Sequence, residues 1–326
     1  MKQKQLLAGT FGALGIFLLI LDGKTALSGA QSGVTLCLMT VIPSLFPFFL
    51  LTNIVTGSLL GIELSLLRPL AILFGLPEGG ESLLIPALLG GYPMGAQAIS
   101  TAYARGQLSQ RDASRMLAFC NNAGPAFLFG MIAPLLPEPW MAWSLWGIHI
   151  ASAVIIAAVF PISAQEIESS TQTALSLAQS MKSAVAAVGC VCGWVICFRV
   201  VSEFFSRWFL WRLPVICQIL ITGLLEMVGG CSQLALIEST AVRYLICAGF
   251  LAIGGLCVTM QTMSVVRGLS LKYYFLGKAI QALLSVLFAA AVVLHIWPGI
   301  LCAGVLFVIV RRKTQNSSRN SPAVVV

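Results

Sequence analysis

The chain has 326 residues, 58% of them hydrophobic and only 9% charged, with a formal net charge of +8 and a mean hydropathy of +0.95. An ordinary soluble domain carries about 25% charged residues. This chain cannot cover a water-facing surface, which excludes a soluble enzyme, a nucleic-acid-binding domain and a disordered chain. Its apolar residues come in long unbroken runs, which excludes an outer-membrane barrel with alternating strands. The class is an all-α polytopic membrane protein of the cell membrane.

Lys2 and Lys4 precede an apolar run at 6–21. That run exceeds the roughly 7–15 residues of a signal-peptide core, so 1–30 reads as a retained N-terminal membrane helix. Further apolar segments fall at 33–57, 82–103, 116–136, 140–160, 184–205, 214–236, 241–262, 279–296 and 299–310. A crossing helix needs about 20 residues. The last two are short, and Trp297-Pro298-Gly299 between them makes either a tight hairpin or one broken helix. Residues 62–80 are less apolar and read as an interfacial helix ending near Pro77, with Glu63, Arg68, Glu78 and Glu81 in or beside it. The polar stretch 162–182, with Glu166, Glu168 and Lys182, separates a first half at 31–161 from a second at 183–310. The basic, Ser/Asn-rich tail 311–326 is expected to be disordered.

The basic residues orient the chain. Loops 104–115 and 263–278 and the tail should face the cytoplasm. Simple alternation through ten segments does not put every loop on its preferred side, so some segments must enter and return without crossing. The halves share a pattern: Gly90-Gly91 is followed by an Arg105-Gly106 turn, and Gly254-Gly255 by an Arg267-Gly268 turn. Coincidence explains such common pairs, and so does a duplicated transporter fold with interrupted or re-entrant helices.

Ten cysteines form no CxxC pair, and most lie in apolar runs, where cysteine packs as a small hydrophobe. His149 and His295 are single. No metal, cofactor or catalytic residue is expected. Asp22 and Asp112 lie outside the spans, no Ser/His nucleophile arrangement is present, and no Gly-Lys-Ser/Thr phosphate loop occurs.

The candidate chemistry sits at interruptions. Broken helices expose backbone groups that lipid cannot satisfy, so they survive where they line a protein-enclosed polar site. Pro43-Ser44-Leu45-Phe46-Pro47, followed by Thr52 and Asn53, is one candidate break. Gly90-Gly91-Tyr92-Pro93-Met94-Gly95 is a second, and Asn121-Asn122-Ala123-Gly124-Pro125 is a third. Prolines and glycines also kink helices for packing alone. Two adjacent amides next to a breaker are harder to explain that way, because polar groups at membrane depth usually line a pathway. In the second half, Glu226 precedes Gly229-Gly230, and Thr259, Gln261 and Thr262 follow the second Gly-Gly. The expected substrate-binding set is Ser44, Asn53, Gly91, Tyr92, Pro93, Gly95, Asn121, Asn122, Gly124, Glu226 and Gln261.

Pro43-Ser-Leu-Phe-Pro-Phe48, Gly91-Tyr-Pro-Met-Gly-Ala96 and Asn121-Asn-Ala-Gly-Pro125, in this order, resemble the nucleoside-recognition or Gate-domain membrane proteins. Within that family they resemble the sporulation integral membrane protein branch of spore-forming Firmicutes. Gly223-Leu-Leu-Glu226 fits more loosely. The likeness covers roughly 30–300. It implies kinship with the gate portions of ferrous-iron transporters and, remotely, with concentrative nucleoside carriers, and a role in spore formation. Ala123 stands where Ser is expected in many relatives, which removes a hydroxyl from the site.

The function expected is a transporter or permease-like protein moving a small polar solute. The rival is a structural or assembly factor of the sporulation membrane that moves nothing. The expected partners are the lipid bilayer and a small polar solute, with a coupling cation and further copies of the chain as open additions; nucleic acid is not one.

Overall fold

The computed structural model describes residues 2–59, 62–163 and 176–320. Among these the regular secondary structure is all helical, with no strand. Five stretches are long and apolar enough to cross a membrane: Gly23–Val55, Pro139–Val159, Leu177–Trp208, Thr240–Val265 and Lys272–Val293. The protein is a multi-pass membrane protein.

Helix α1 (Lys2–Leu21) stops at Asp22. The Asp22 carboxylate accepts the Thr25 N–H at 3.3 Å and its hydroxyl at 2.8 Å, which starts α2 (Gly23–Leu36). This side chain satisfies donors that a helix start leaves open. The expected boundary at residue 30 therefore falls inside α2. The polar residues that hid α2 from the hydropathy reading share a helix with Gly29 and Gly33, which press on a later helix. A Cβ at Gly29 would lie 2.7 Å from Val200 Cα, and one at Gly33 would lie 2.8 Å from Ile196 Cα.

A π-helical turn, Cys37–Val41, leads directly into α3 (Ile42–Leu59). Pro43 and Pro47 do not break this helix. The wide turn lies just ahead of Pro43, and the Ser44 hydroxyl donates to the Thr40 carbonyl at 2.6 Å. Local π turns and Ser hydroxyl-to-carbonyl bonds are the adjustments by which membrane helices accommodate prolines. Helix α4 (Arg68–Phe74) is short and ends on left-handed Gly75, two residues before Pro77.

The next chain segment folds back on itself. A helical stretch ending in the π turn Pro86–Gly90 breaks at residues 91–93 and resumes as α5 (Met94–Ala104). In a continuous helix, residues eight apart are about 12 Å apart. Here a Cβ on Gly95 would lie 3.2 Å from Ala87 Cα, so this is a re-entrant hairpin. Helix α6 (Gln110–Met116) follows, then an irregular stretch, then α7 (Pro125–Phe127), which runs on through the π turn Leu128–Ile132. Helix α8 (Pro139–Val159) is unbroken.

Residues 164–175 lie outside the described residues, including Glu166 and Glu168; Lys182 lies in α9 (Leu177–Trp208). Helices α10 (Val215–Leu225) and α11 (Met227–Ser232) form a second re-entrant hairpin. A Cβ on Gly230 would sit 2.2 Å from Gly223 Cα, seven residues back. Helix α12 (Thr240–Ile253) breaks at Gly254 and continues as α13 (Gly255–Val265), and α14 (Lys272–Val293) is unbroken. Gly254 and Gly255 both have φ of 73°, a backbone shape that residues with a Cβ adopt only under strain.

Helix α15 (Trp297–Asn320) carries the helix past the residue at which the tail was expected to become irregular. No proline interrupts the chain between Pro298 and Pro322, and its Arg and Lys residues propagate helix well. Residues 321–326 are outside the described residues.

Two rims define the ends of the bundle. At one, the Gln110 side chain donates to the Gly268 carbonyl at 2.7 Å, and the Ser270 N–H donates to Ser114 at 3.1 Å. At the other, Arg243 donates to the carbonyls of Leu135 at 3.2 Å and Ile237 at 2.8 Å. The first series therefore runs hairpin, turn, broken helix, loop, unbroken helix. The second runs hairpin, loop, broken helix, turn, unbroken helix, with turn and loop exchanged between rims. In this order Gly91 corresponds to the Glu226 break and the Asn121–Gly124 stretch to Gly254-Gly255. The two Gly-Gly pairs, matched to each other by sequence, hold different places.

Candidate functional site

Both hairpin tips meet at the middle of the bundle, each seated on a broken helix. A Cβ at Gly124 would lie 2.9 Å from Gly91 Cα, and one at Gly255 would lie 2.9 Å from the Gly223 carbonyl oxygen. Glycine is required at these positions because backbone touches backbone. Between the tips lies a cavity of about 50 Å³, bounded by Thr40, Ser44, Gly91, Tyr92, Gly124, Glu226, Gln261 and the α9 valines Val191 and Val195. It has room for a few waters or a small ion. A pocket for a drug-sized ligand takes roughly 300–1,000 Å³.

Glu226 is 1% exposed and forms the tip of the second hairpin. Its two carboxylate oxygens accept the N–H groups of Val228 at 2.7 Å and Gly229 at 2.6 Å. It thus caps α11, whose first N–H groups have no partner in the helix. The Arg199 guanidinium lies nearby, 2.4 Å from where a Gly229 Cβ would stand, and donates to Ser32 at 2.6 Å. Gln261 donates to the Cys257 sulfur at 3.2 Å.

Behind Tyr92 lies a network of buried polar side chains. Asn121 and Asn122 are 1% and 2% exposed. The Asn121 amide donates to Thr262 at 2.9 Å. The Asn122 amide donates to the carbonyls of Phe119 at 2.7 Å and Ala87 at 3.1 Å, which ties the broken helix to the first hairpin. Its oxygen accepts from Gln281 at 2.8 Å. The Lys278 ammonium donates to the Asn121 backbone carbonyl and, at 3.0 Å, to the Gln281 side-chain oxygen. It also stands over the Tyr92 ring, 5.2 Å from the centroid. The His149 Nε2 accepts the Ala123 N–H at 3.0 Å, which fixes a neutral ring with its proton on Nδ1. The Tyr92 hydroxyl donates to the Leu251 carbonyl and links the first hairpin to α12.

Of the sequence-derived set, Ser44, Gly91, Tyr92, Gly124, Glu226 and Gln261 line the cavity. Asn121 and Asn122 lie in the network behind it. Pro93, joined to Tyr92 by a cis bond, and Gly95 are packing residues; a Gly95 Cβ would fall 1.6 Å from the Cys120 carbonyl oxygen. Asn53 is apart from the site, donating to the Ser180 carbonyl at 3.4 Å between α3 and α9. His149, Lys278 and Gln281 were missed. Lys278 and Gln281 sit three apart in a 22-residue apolar helix, and that spacing puts both on one face. His149 gave no such signal. Among the described residues, no group of three or more His, Cys, Asp or Glu could hold a metal.

Over 137 residues the chain is 28% identical to the sporulation integral membrane protein YlbJ of Bacillus subtilis (strain 168). The match covers 40% of this chain and 33% of that protein, so about a third of the relative's length is spanned. No family model matches the chain. No solved structure matches it.

Proposed function

We propose that the chain is a transporter of a small polar solute, working in the sporulation programme of its cell and catalysing no reaction. The observation that carries this reading is the meeting of two re-entrant tips and two broken helices at one small cavity. Freed backbone at membrane depth is costly unless it is buried in protein or lines a polar cavity. The sporulation role rests on the partial likeness to a sporulation integral membrane protein, and the Gate-like architecture on the resemblance of the sequence motifs. A cavity of about 50 Å³ fits a closed state in which the tips must part before a solute as large as a nucleoside enters. The same small volume favours a second reading, a membrane assembly factor whose breaks are packing devices.

Thermal melts of the purified protein with nucleosides, nucleobases, amino acids and polyols separate the two. A ligand that binds only the native state raises the melting temperature in a saturable way. A saturable rise with one class supports transport. Flat melts across all classes, together with unchanged spore metabolites in a deletion strain, would leave the assembly reading standing.

A further inference from the structure

Lys278 is 5% exposed, at membrane depth, in a helix whose polar side chain nearest to it is Gln281. The ion pairs among the described residues join Arg68 to Glu78 and Glu81, and Arg207 to Asp22; none involves Lys278. Its surroundings are neutral and electron-rich: the Asn121 carbonyl, the Gln281 side-chain oxygen and the face of Tyr92. A single positive charge is well served by carbonyl oxygens and an aromatic face, whereas divalent ions favour carboxylates.

Each of these groups is held in place by another. The Asn121 carbonyl belongs to the irregular stretch between α6 and α7, where regular helical bonding lapses. Gln281 is pinned by Asn122 at 2.8 Å. Tyr92 is anchored through its hydroxyl to Leu251. The arrangement ties the first hairpin tip, the first broken helix and α14 to one ammonium group.

We propose that the Lys278 ammonium is the resident cation of this site: it takes the place a monovalent metal cation would hold between the broken-helix carbonyl and the hairpin tip, and excludes Na⁺ and K⁺ from it. The inference deepens the transport reading by filling the coupling-ion position from within the chain. Its test reads cation binding without any solute, so it stands or falls separately from transport.

The experiment is thermal unfolding of the purified full chain in detergent, in NaCl, KCl or choline chloride at equal ionic strength. The wild type should melt at one temperature in all three salts. Lys278→Ala vacates the position next to two carbonyl-type oxygens. It should melt lower in choline and regain about 3 °C or more in Na⁺ or K⁺, with saturation. A saturable, cation-specific rise in the wild type would overturn the proposal, as would a folded Lys278→Ala with no cation response. Should the alanine variant not fold in any salt, Lys278→Gln decides. Its neutral amide ends one bond short of the ammonium position, so it should melt lower in choline and rise saturably in Na⁺ or K⁺; a folded glutamine variant with no cation response would sink the idea.

Discussion

Glu226 and Asn122 show how single side chains hold the broken segments. Glu226 uses both carboxylate oxygens on consecutive backbone N–H groups. Glutamine offers one acceptor and turns an NH₂ group toward the other N–H, leaving buried donors unsatisfied at about 1–3 kcal/mol each. Glu226→Gln is therefore expected to lower the melting temperature as well as any transport-linked phenotype. Glu226→Asp keeps two acceptors and a strong capping residue. If the carboxylate also serves the cavity, Asp should complement a deletion strain and Gln should not, with expression checked by immunoblot. Equal complementation by both would remove the charge from the mechanism. Asn122 is the tighter structural tie. Asn122→Ala strands the carbonyls of Ala87 and Phe119 and the Gln281 amide, and should cost about 1–3 kcal/mol per stranded group. Asn53 makes one part-buried bond of 3.4 Å, so Asn53→Ala should change the melt far less. Comparable losses for the two variants would mean that the Asn122 network carries no special weight.

Among the elements, the legible features were those written in local chemistry. Gly90–Gly95 and Asn121–Pro125 interrupt apolar runs with residues that cannot continue a helix, and both are breaks in the fold. Pro43 and Pro47 carry the same signature, yet α3 runs through them, because the π turn Cys37–Val41 precedes Pro43 and sequence gives no warning of it. Helix α2 was hidden for the opposite reason. Its polar residues lower the hydropathy, but contact between its glycines and α9 places it in the bundle. The network of His149, Lys278 and Gln281 depends on contacts across more than 100 residues, beyond the reach of any local pattern. The glycine contacts can be tested one by one. Gly95→Ala would put a methyl 1.6 Å from the Cys120 carbonyl oxygen, whereas an added Cβ at Gly189 in α9 would meet open space. We expect Gly95→Ala to fail to yield folded protein in size-exclusion chromatography and Gly189→Ala to elute like the wild type. A well-behaved Gly95→Ala would show that the hairpin does not sit against the Cys120 carbonyl as described.

For the molecule as a whole, the two hairpins explain why alternation through ten segments did not close. The first hairpin and α10–α11 enter and return, so the loops on either side of each share a face. The Arg105-Gly106 and Arg267-Gly268 turns then lie at one rim, with Arg111, Arg115 and Lys272 beside them; the loops holding Glu138 and Glu238 lie at the other. Arg115 donates to the Pro161 carbonyl at 2.8 Å, and the Ser163 N–H donates to Asp112 at 2.8 Å, so the C-terminal end of α8 joins the basic rim. Trp140 and Trp297 bound one groove, which places the start of α15 with the start of α8 and brings Arg311 and Arg312 back to the basic side. Cytoplasmic loops carry the excess of Lys and Arg, so this rim should face the cytoplasm. Three arginines and the exposed Lys24 lie away from it, near the other rim. Arg207 pairs with Asp22 at 3.1 Å and Arg243 is bound by two carbonyls, while Arg212 stacks on Trp211 at 4.7 Å; engaged charges of this kind weigh less against the rule than free ones. Single cysteines at Arg111, Lys272, Glu138 and Glu238, all exposed, test the arrangement with a membrane-impermeant maleimide on intact cells. Labelling above the parent chain's background is expected at Glu138→Cys and Glu238→Cys, and at Arg111→Cys and Lys272→Cys only after the membrane is opened. The reverse pattern would invert the orientation and leave the fold intact. Labelling that splits Arg111 from Lys272 would contradict the shared rim, and with it the reading of α10–α11 as a segment that returns without crossing.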